Sequence, residues 1–138
     1  MITTPSTHST VAPASDAAPS PEAGGALLDA ERLDVYRVAL EFHGKAAALA
    51  LRADAIARDQ LRRASLSVVL NIAEGAGQRS RGQKRHIYSI ARGSAMESAA
   101  ILDVLRGRGV ASAAEARTAR ALAVRVVQML TKLDQALA

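Results

Sequence analysis

From residue 22 to its end the 138-residue chain contains no proline, and Ala, Leu, Arg and Glu dominate that stretch. Such a segment has no obligatory break and favours helix over strand. Its glycines cluster at two places, Gly75 to Gly82 and Gly107 to Gly109, which read as turns between helices. All four prolines stand before it, at Pro5, Pro13, Pro19 and Pro21, among eight Ser or Thr and ahead of Gly24-Gly25. Residues 1–28 therefore read as a disordered tail, and residues 29–138 as a single folded domain.

Apolar residues recur at helical spacing in four stretches. The first predicts a helix from about Ala30 to Arg52, capped by Asp29, with Leu33, Tyr36, Leu40, Gly44, Ala47 and Leu51 along its core stripe. A second, Ala55 to Ala73, carries Leu61, Ser65, Val68 and Ile72. The third, Gly82 to Arg106, aligns Ile87, Ile90, Ser94, Ser98, Ile101 and Leu105. Ser112 is placed to cap the fourth, whose stripe is Ala119, Leu122, Val126, Met129, Leu133 and Leu137. Four amphipathic helices joined by short turns predict an all-α, antiparallel up-and-down four-helix bundle.

The first helix has a second apolar stripe, Val35, Val38, Phe42, Ala46 and Leu49, roughly opposite the first, with Asp34, Arg37, Glu41, Lys45 and Arg52 between them. A helix with two apolar faces must bury both. The second stripe is therefore expected to form an oligomer interface, the alternative being cover from the N-terminal tail.

Composition removes several classes of function. With no cysteine there is no disulfide, thiolate metal site or thiol nucleophile. His43 and His86 have no second ligand at i+3 or i+4, and no paired Glu-x-x-His motif occurs, so neither metal nor other cofactor is expected. No apolar run approaches the roughly 18 residues of a membrane span, and a secretory signal is not evident, which leaves the cytoplasm as the default location.

The charge is uneven. Residues 1–30 carry three acidic and no basic residues, so 31–138 hold eighteen basic against ten acidic, a surplus of eight over a net +5 for the whole chain. The surplus concentrates in Arg58, Arg62, Arg63, Arg79, Arg81, Lys84, Arg85 and Arg92, opposed locally only by Asp59 and Glu74. On the third helix Arg81, Lys84, Arg85, Tyr88 and Arg92 share an arc of roughly 100° opposite the expected core stripe. Guanidiniums beside one tyrosine suit phosphate contacts with limited base stacking, so Arg58, Arg62, Arg79, Arg81, Lys84, Arg85, Tyr88 and Arg92 are the candidate nucleic-acid-binding residues. A solvated helix face is the plainer reading of the same charges.

On the second helix Arg63, Ser67, Asn71 and Glu74 form a polar strip. A carboxylate and an amide at a helix C-terminus oppose the helix dipole and need partners, so Glu74 is expected to pair with a third-helix arginine such as Arg92 and Asn71 to bond the turn backbone. Arg63, Asn71, Glu74 and Glu97 are thus expected to be a structural polar network. Gly75 to Gly82 lacks the Gly-Lys-Ser/Thr ending and preceding strand of a phosphate loop. Nothing assembles a nucleophile, a base and an oxyanion site, so the chain is not expected to be an enzyme.

Four ordered blocks carry a family resemblance: Leu33-Asp34-Val35-Tyr36, Gln60-Leu61-Arg62-Arg63-Ala64, Asn71-Ile72-Ala73-Glu74-Gly75, and Ile90-Ala91-Arg92-Gly93-Ser94 with Glu97. Over residues 31–137 the chain resembles the four-helix bundle proteins encoded within intervening sequences of large-subunit ribosomal RNA genes, a family that includes accessory variability determinants of diversity-generating retroelements. The resemblance implies a homopentamer and a basic adaptor that binds RNA or DNA together with a reverse transcriptase. The chain departs from the family pattern at Val69, where a helix-kinking proline is usual, and at Ala76, Lys84 and Ile87, where aromatics are usual. The function expected is a non-enzymatic, oligomeric nucleic-acid-binding adaptor, and the alternative is a protein-interaction scaffold with no nucleic-acid role.

Overall fold

The computed structural model describes residues 26–138; the expected tail lies almost wholly outside the described residues. These residues form four helices and no strand: α1 (Asp34–Ala50), α2 (Ala55–Gly77), α3 (Arg81–Gly107) and α4 (Ala113–Leu137). The chain enters α1 through a 3-10 turn, Asp29–Arg32, and not through a continuous helix from Ala30. Leu33 is extended (φ −99°, ψ 126°) and supplies no side-chain cap, so Asp29 does not start α1. Asp34 sits in the first turn instead, where its charge suits the helix dipole, and accepts a hydrogen bond from Arg37.

The other boundaries follow local chemistry. Asp54 caps α2, its Oδ1 accepting from the amides of Ile56 and Ala57 at 3.0 Å each. Ser80 caps α3 by accepting from the Gln83 amide at 3.0 Å. Ser112 and Glu115 form a reciprocal capping box at the start of α4. The end of α3 is a Schellman motif: the Val110 amide donates to the Leu105 carbonyl and the Gly109 amide to that of Arg106, each at 3.0 Å. Gly109 lies at φ +72°, a conformation in which a Cβ is strained.

The helices pack in a ring, α1 on α2, α2 on α3, α3 on α4 and α4 on α1. Ion pairs join their ends: Arg85, early in α3, meets Asp134, late in α4, at 2.8 Å, while Asp103 and Arg120 pair at 3.2 Å farther along the same two helices. Asp54 at the start of α2 bonds Arg108 at the end of α3 at 3.0 Å, and Arg52 after α1 bonds Glu115 at the start of α4 at 2.6 Å. Exposed pairs of this kind each add little stability, so they mark alignment more than they supply energy.

The core corrects the expected stripes of α1 and α3. Val35, Val38, Phe42, Ala46 and Leu49, expected at an oligomer interface, are the buried face of α1, with Phe42 at 0% exposure. Leu40 and Leu51, expected inside, are 42% and 68% exposed. Both faces are apolar, and the ring of neighbouring helices selected the one carrying the chain's single Phe. On α3 the interior consists of Tyr88, Ala91, Ala95, Ser98, Leu102 and Leu105, while Ile90 is 44% exposed. Alanines at Ala91 and Ala95 face an interior that also takes in Ala119 and Ala123 of α4; small side chains there allow close helix approach, which the larger isoleucines would prevent. The α2 stripe of Leu61, Ser65, Val68 and Ile72 is fully buried as expected. Ser65 is accommodated because its Oγ shares a 2.8 Å hydrogen bond with His43 Nδ1 and lies 3.3 Å from the Arg62 carbonyl.

Candidate nucleic-acid interface

Both the candidate polar strip and most of the basic cluster converge on the α2–α3 hairpin. Helix α2 does not stop at Ala73. It continues unbroken through Val69 and on through Glu74-Gly75-Ala76-Gly77. Gly75 is buried, and a Cβ there would fall 2.7 Å from Tyr88 Cε1 and 2.8 Å from Cδ1. The glycine thus serves the close approach of α3 and is not a turn residue. The turn itself is short, Gln78 to Ser80, with the Gln78 amide donating to the Gly75 carbonyl at 3.2 Å.

Lys84 closes this end of α2. Its Nζ donates to the carbonyls of Ala76 at 2.7 Å and Gly75 at 3.3 Å, placing a cation on the negative end of the helix dipole. Lys84 is therefore partly committed to the fold. Arg85 is committed too, by a two-pronged contact to Asp134: Nε to Oδ1 at 2.8 Å and NH2 to Oδ2 at 3.3 Å. That hydrogen bond, then the nearby charges of Arg85 and Arg92, hold the Asp134 carboxyl below the usual carboxylate range, and the same contact raises Arg85.

Tyr88, expected as a stacking platform, is 4% exposed. Burial raises its phenol above the ordinary value, and its ring is occupied by Gly75. The arc of Arg81, Lys84, Arg85, Tyr88 and Arg92 does not lie opposite the core: Tyr88 is in it, Arg85 faces α4 and Lys84 the end of α2, because the true core stripe is displaced from the expected isoleucines.

The basic cluster also divides. Arg58 lies in the first turns of α2, with roughly 28 Å of helix between it and Gly77. It is half-buried, donates to the Ala53 carbonyl at 3.0 Å and keeps a buried Nε without a partner, so it belongs to the α1–α2 corner. Arg62 is exposed but separate from the hairpin, and Arg63 pairs with Asp59 at 3.0 Å on the surface. At the hairpin, Arg79 and Arg81 flank the Ser80 cap, both exposed. Among the described residues, Arg62, Arg79, Arg81 and Arg92 form no ion pair.

The expected polar network takes a different form. Asn71 Nδ2 donates to the Ser67 carbonyl at 2.8 Å and to Ser67 Oγ at 2.9 Å, not to the turn. Ser67 Oγ in turn bonds Ser94 Oγ at 2.9 Å, linking α2 to α3. Glu74 has no ion pair among the described residues, with Arg92 or any other arginine, and Arg63 and Glu97 are exposed and outside this chain of bonds. Glu74 instead borders a cleft of about 390 Å³ shared with Gln78, Gly82, Gln83, His86 and Ile87. Sequence reading missed this cleft because it took 75–82 for a flexible turn. The signal was present in the spacing of Glu74 and Gln78, which share a face once the helix continues.

Among the described residues no group of three or more His, Asp or Glu is placed to hold a metal ion, and no helix is long and apolar enough to cross a membrane. The fold and this hairpin define a four-helix, all-helical protein with two unpaired arginines at one end. The model of the 23S rRNA-intervening sequence protein family matches residues 31–132, and the chain belongs to that family. It is similar in fold to a crystal structure from Bacteroides thetaiotaomicron, described as a protein of unknown function from the S23 ribosomal protein family. The TM-score is 0.71 and the identity 19%, over 73% of this chain and 98% of that one. No curated protein matches the chain.

Proposed function

We propose that the protein is a non-enzymatic adaptor that binds nucleic acid through the α2–α3 hairpin. The observation that carries this reading is the pair Arg79 and Arg81, exposed on either side of the α3 cap with no carboxylate partner among the described residues. Arg37, Arg52, Arg63, Arg85, Arg108 and Arg120 each meet an acid; Arg32, Arg62, Arg92, Arg106, Arg117 and Arg125 also lack one among the described residues, but Arg79 and Arg81 stand together on either side of one helix cap. Uncompensated guanidiniums beside helix-terminal amides suit phosphate oxygens. The family description, which refers to intervening sequences of 23S rRNA, supports an RNA-related role in the cytoplasm. A reverse transcriptase is a candidate partner on the sequence resemblance to retroelement accessory proteins alone.

The working unit is proposed to be an antiparallel up-and-down bundle assembled as a homopentamer. The end-to-end ion pairs support the antiparallel order. Leu40 and Leu51 of the α1 face, with Leu66 and Leu70 of α2, are exposed apolar groups that a second copy would cover. Assembly would repeat the arginine pair around the oligomer and raise affinity by multivalency. A band-shift measurement with RNA and with DNA at two salt concentrations tests the binding. Binding that weakens steeply with salt is expected, and no binding at low salt would refute it.

The alternative, a protein-interaction scaffold, is favoured by the exposed Ile56 and Val104, which share a cleft with Ile101 at the opposite end of α2 and α3. A single protein partner retained through nuclease treatment and high salt would select it.

A further inference from the structure

The cleft bordered by Glu74 has a chemistry that the phosphate-binding reading leaves unused. Glu74 stands in the last turn of α2 and forms no ion pair among the described residues, the Lys84 ammonium at this helix end being taken up by the carbonyls of Gly75 and Ala76. Around it are two amides, Gln78 and Gln83, the imidazole of His86 and the half-buried aliphatic wall of Ile87. Gly82 completes the lining without a side chain, and a Cβ there would meet nothing within 4 Å.

The cleft, of about 390 Å³, is open to solvent and offers a planar heterocycle a wall to lie against without enclosing it. Of the five basic groups in residues 74–92, Arg85 is paired with Asp134 and Lys84 is bound to the α2 carbonyls, which leaves Arg79, Arg81 and Arg92 unpaired against Glu74, so an occupant attached to a polyanion is favoured over a free cation. The occupant must offer hydrogen-bond donors to a carboxylate while its chain carries phosphates toward Arg79 and Arg81. Guanine alone among the common bases presents two adjacent donors, N1–H and the N2 amino group, matched to two carboxylate oxygens. Its O6 beside them is an acceptor for a glutamine amide, and Ile87 offers the ring an apolar surface. Adenine and cytosine set a ring acceptor beside their single amino group, and uracil sets carbonyls on both sides of its one donor.

We infer that this cleft is a guanine-recognition site for unpaired strands, with Glu74 reading the Watson–Crick edge. The inference rests on the nucleic-acid reading above and adds base selectivity to it. Duplex guanine is excluded because that edge is already used in pairing.

Fluorescence anisotropy with the full chain and short uridine RNAs carrying one central guanosine, inosine, adenosine or cytidine tests it. Guanosine is expected to bind about tenfold tighter than adenosine or cytidine, with inosine intermediate because it lacks the N2 amino group. Glu74→Gln and, independently, Gly82→Leu, which fills the cleft from a position with open space, should abolish that preference without weakening the all-uridine probe. Glu97→Gln should leave it intact. Equal binding of all four probes, or a preference that survives Glu74→Gln, would overturn the inference while leaving phosphate binding standing. Equal binding together with a Glu74-dependent capture of an oligo-arginine peptide would overturn it in favour of protein docking. Failure of every probe to bind at low salt would overturn both readings together.

Discussion

Gly75 of α2 lies against the ring of Tyr88 of α3 so closely that a Cβ would stand 2.7 Å from Cε1. This contact joins the two helices beside the basic hairpin and buries the tyrosine that was expected to stack on a base. Replacing Gly75 with Ala sets a helix-propensity gain of about 1 kcal/mol against an overpacking cost of about 1–3 kcal/mol. The buried ring cannot swing away, so a net loss of about 1 kcal/mol is expected in urea unfolding. In combination with Tyr88→Leu the clash disappears, and the double variant should show clear non-additivity.

Removing Arg79 or Arg81 should weaken nucleic-acid binding and lower the salt-dependence slope by about one for each arginine. Arg58→Ala acts at the other end of α2, where the side chain bonds the Ala53 carbonyl. It should lower thermal stability and leave the slope unchanged. Affinity measured across a salt series separates the two outcomes.

Asp134 occupies Arg85 and lies near Arg92. Because its native pKa is lowered, its contribution to stability is complete above the ordinary carboxylate range and is lost as pH falls through that range toward the lowered native value. The stability difference between wild type and Asp134→Asn should therefore be largest near neutrality and vanish in acid, as read by unfolding curves across pH. The same substitution frees Arg85, so the salt slope for nucleic-acid binding should rise by about one.

The two faces of α1 make opposite predictions. Phe42→Ala empties the monomer core and should cost about 3–5 kcal/mol, enough to threaten folding. Leu40→Glu, on the exposed face, should preserve helix content by circular dichroism and reduce the mass of the particle in light scattering. An unchanged mass would remove the α1 face from the proposed assembly.

Ser112→Ala breaks the capping box at the start of α4 and should cost about 1 kcal/mol in chemical denaturation. Binding at the hairpin should not change, since Ser112 lies at the opposite end of α3 from Arg79 and Arg81.

Residues near in sequence were enough to supply the number and type of the helices, the start of α2 at Ala55, the buried α2 stripe and the Ser112 cap. The Asp54 cap of α2 was seen only in the structure. The chain could not disclose which face of α1 turns inward, because Leu33 to Leu51 and Val35 to Leu49 are both apolar stripes and only neighbouring helices discriminate between them. The same holds for α3, where ranking by hydrophobic size favoured Ile90 and Ile101 over Ala91, Ala95 and Tyr88.

The charge surplus of 31–138 was legible by counting, because net charge needs no coordinates. Its partition was not. Arg58 and Arg79 belong to one run of sequence but opposite ends of one helix, Arg85 is held by an acid 49 positions away, and Glu74 faces Gln83 and His86 only because α2 continues past the glycines that seemed to end it. Spacing along a helix decides which residues share a face; which charges remain free is decided by distant partners that only packing brings within hydrogen-bond reach.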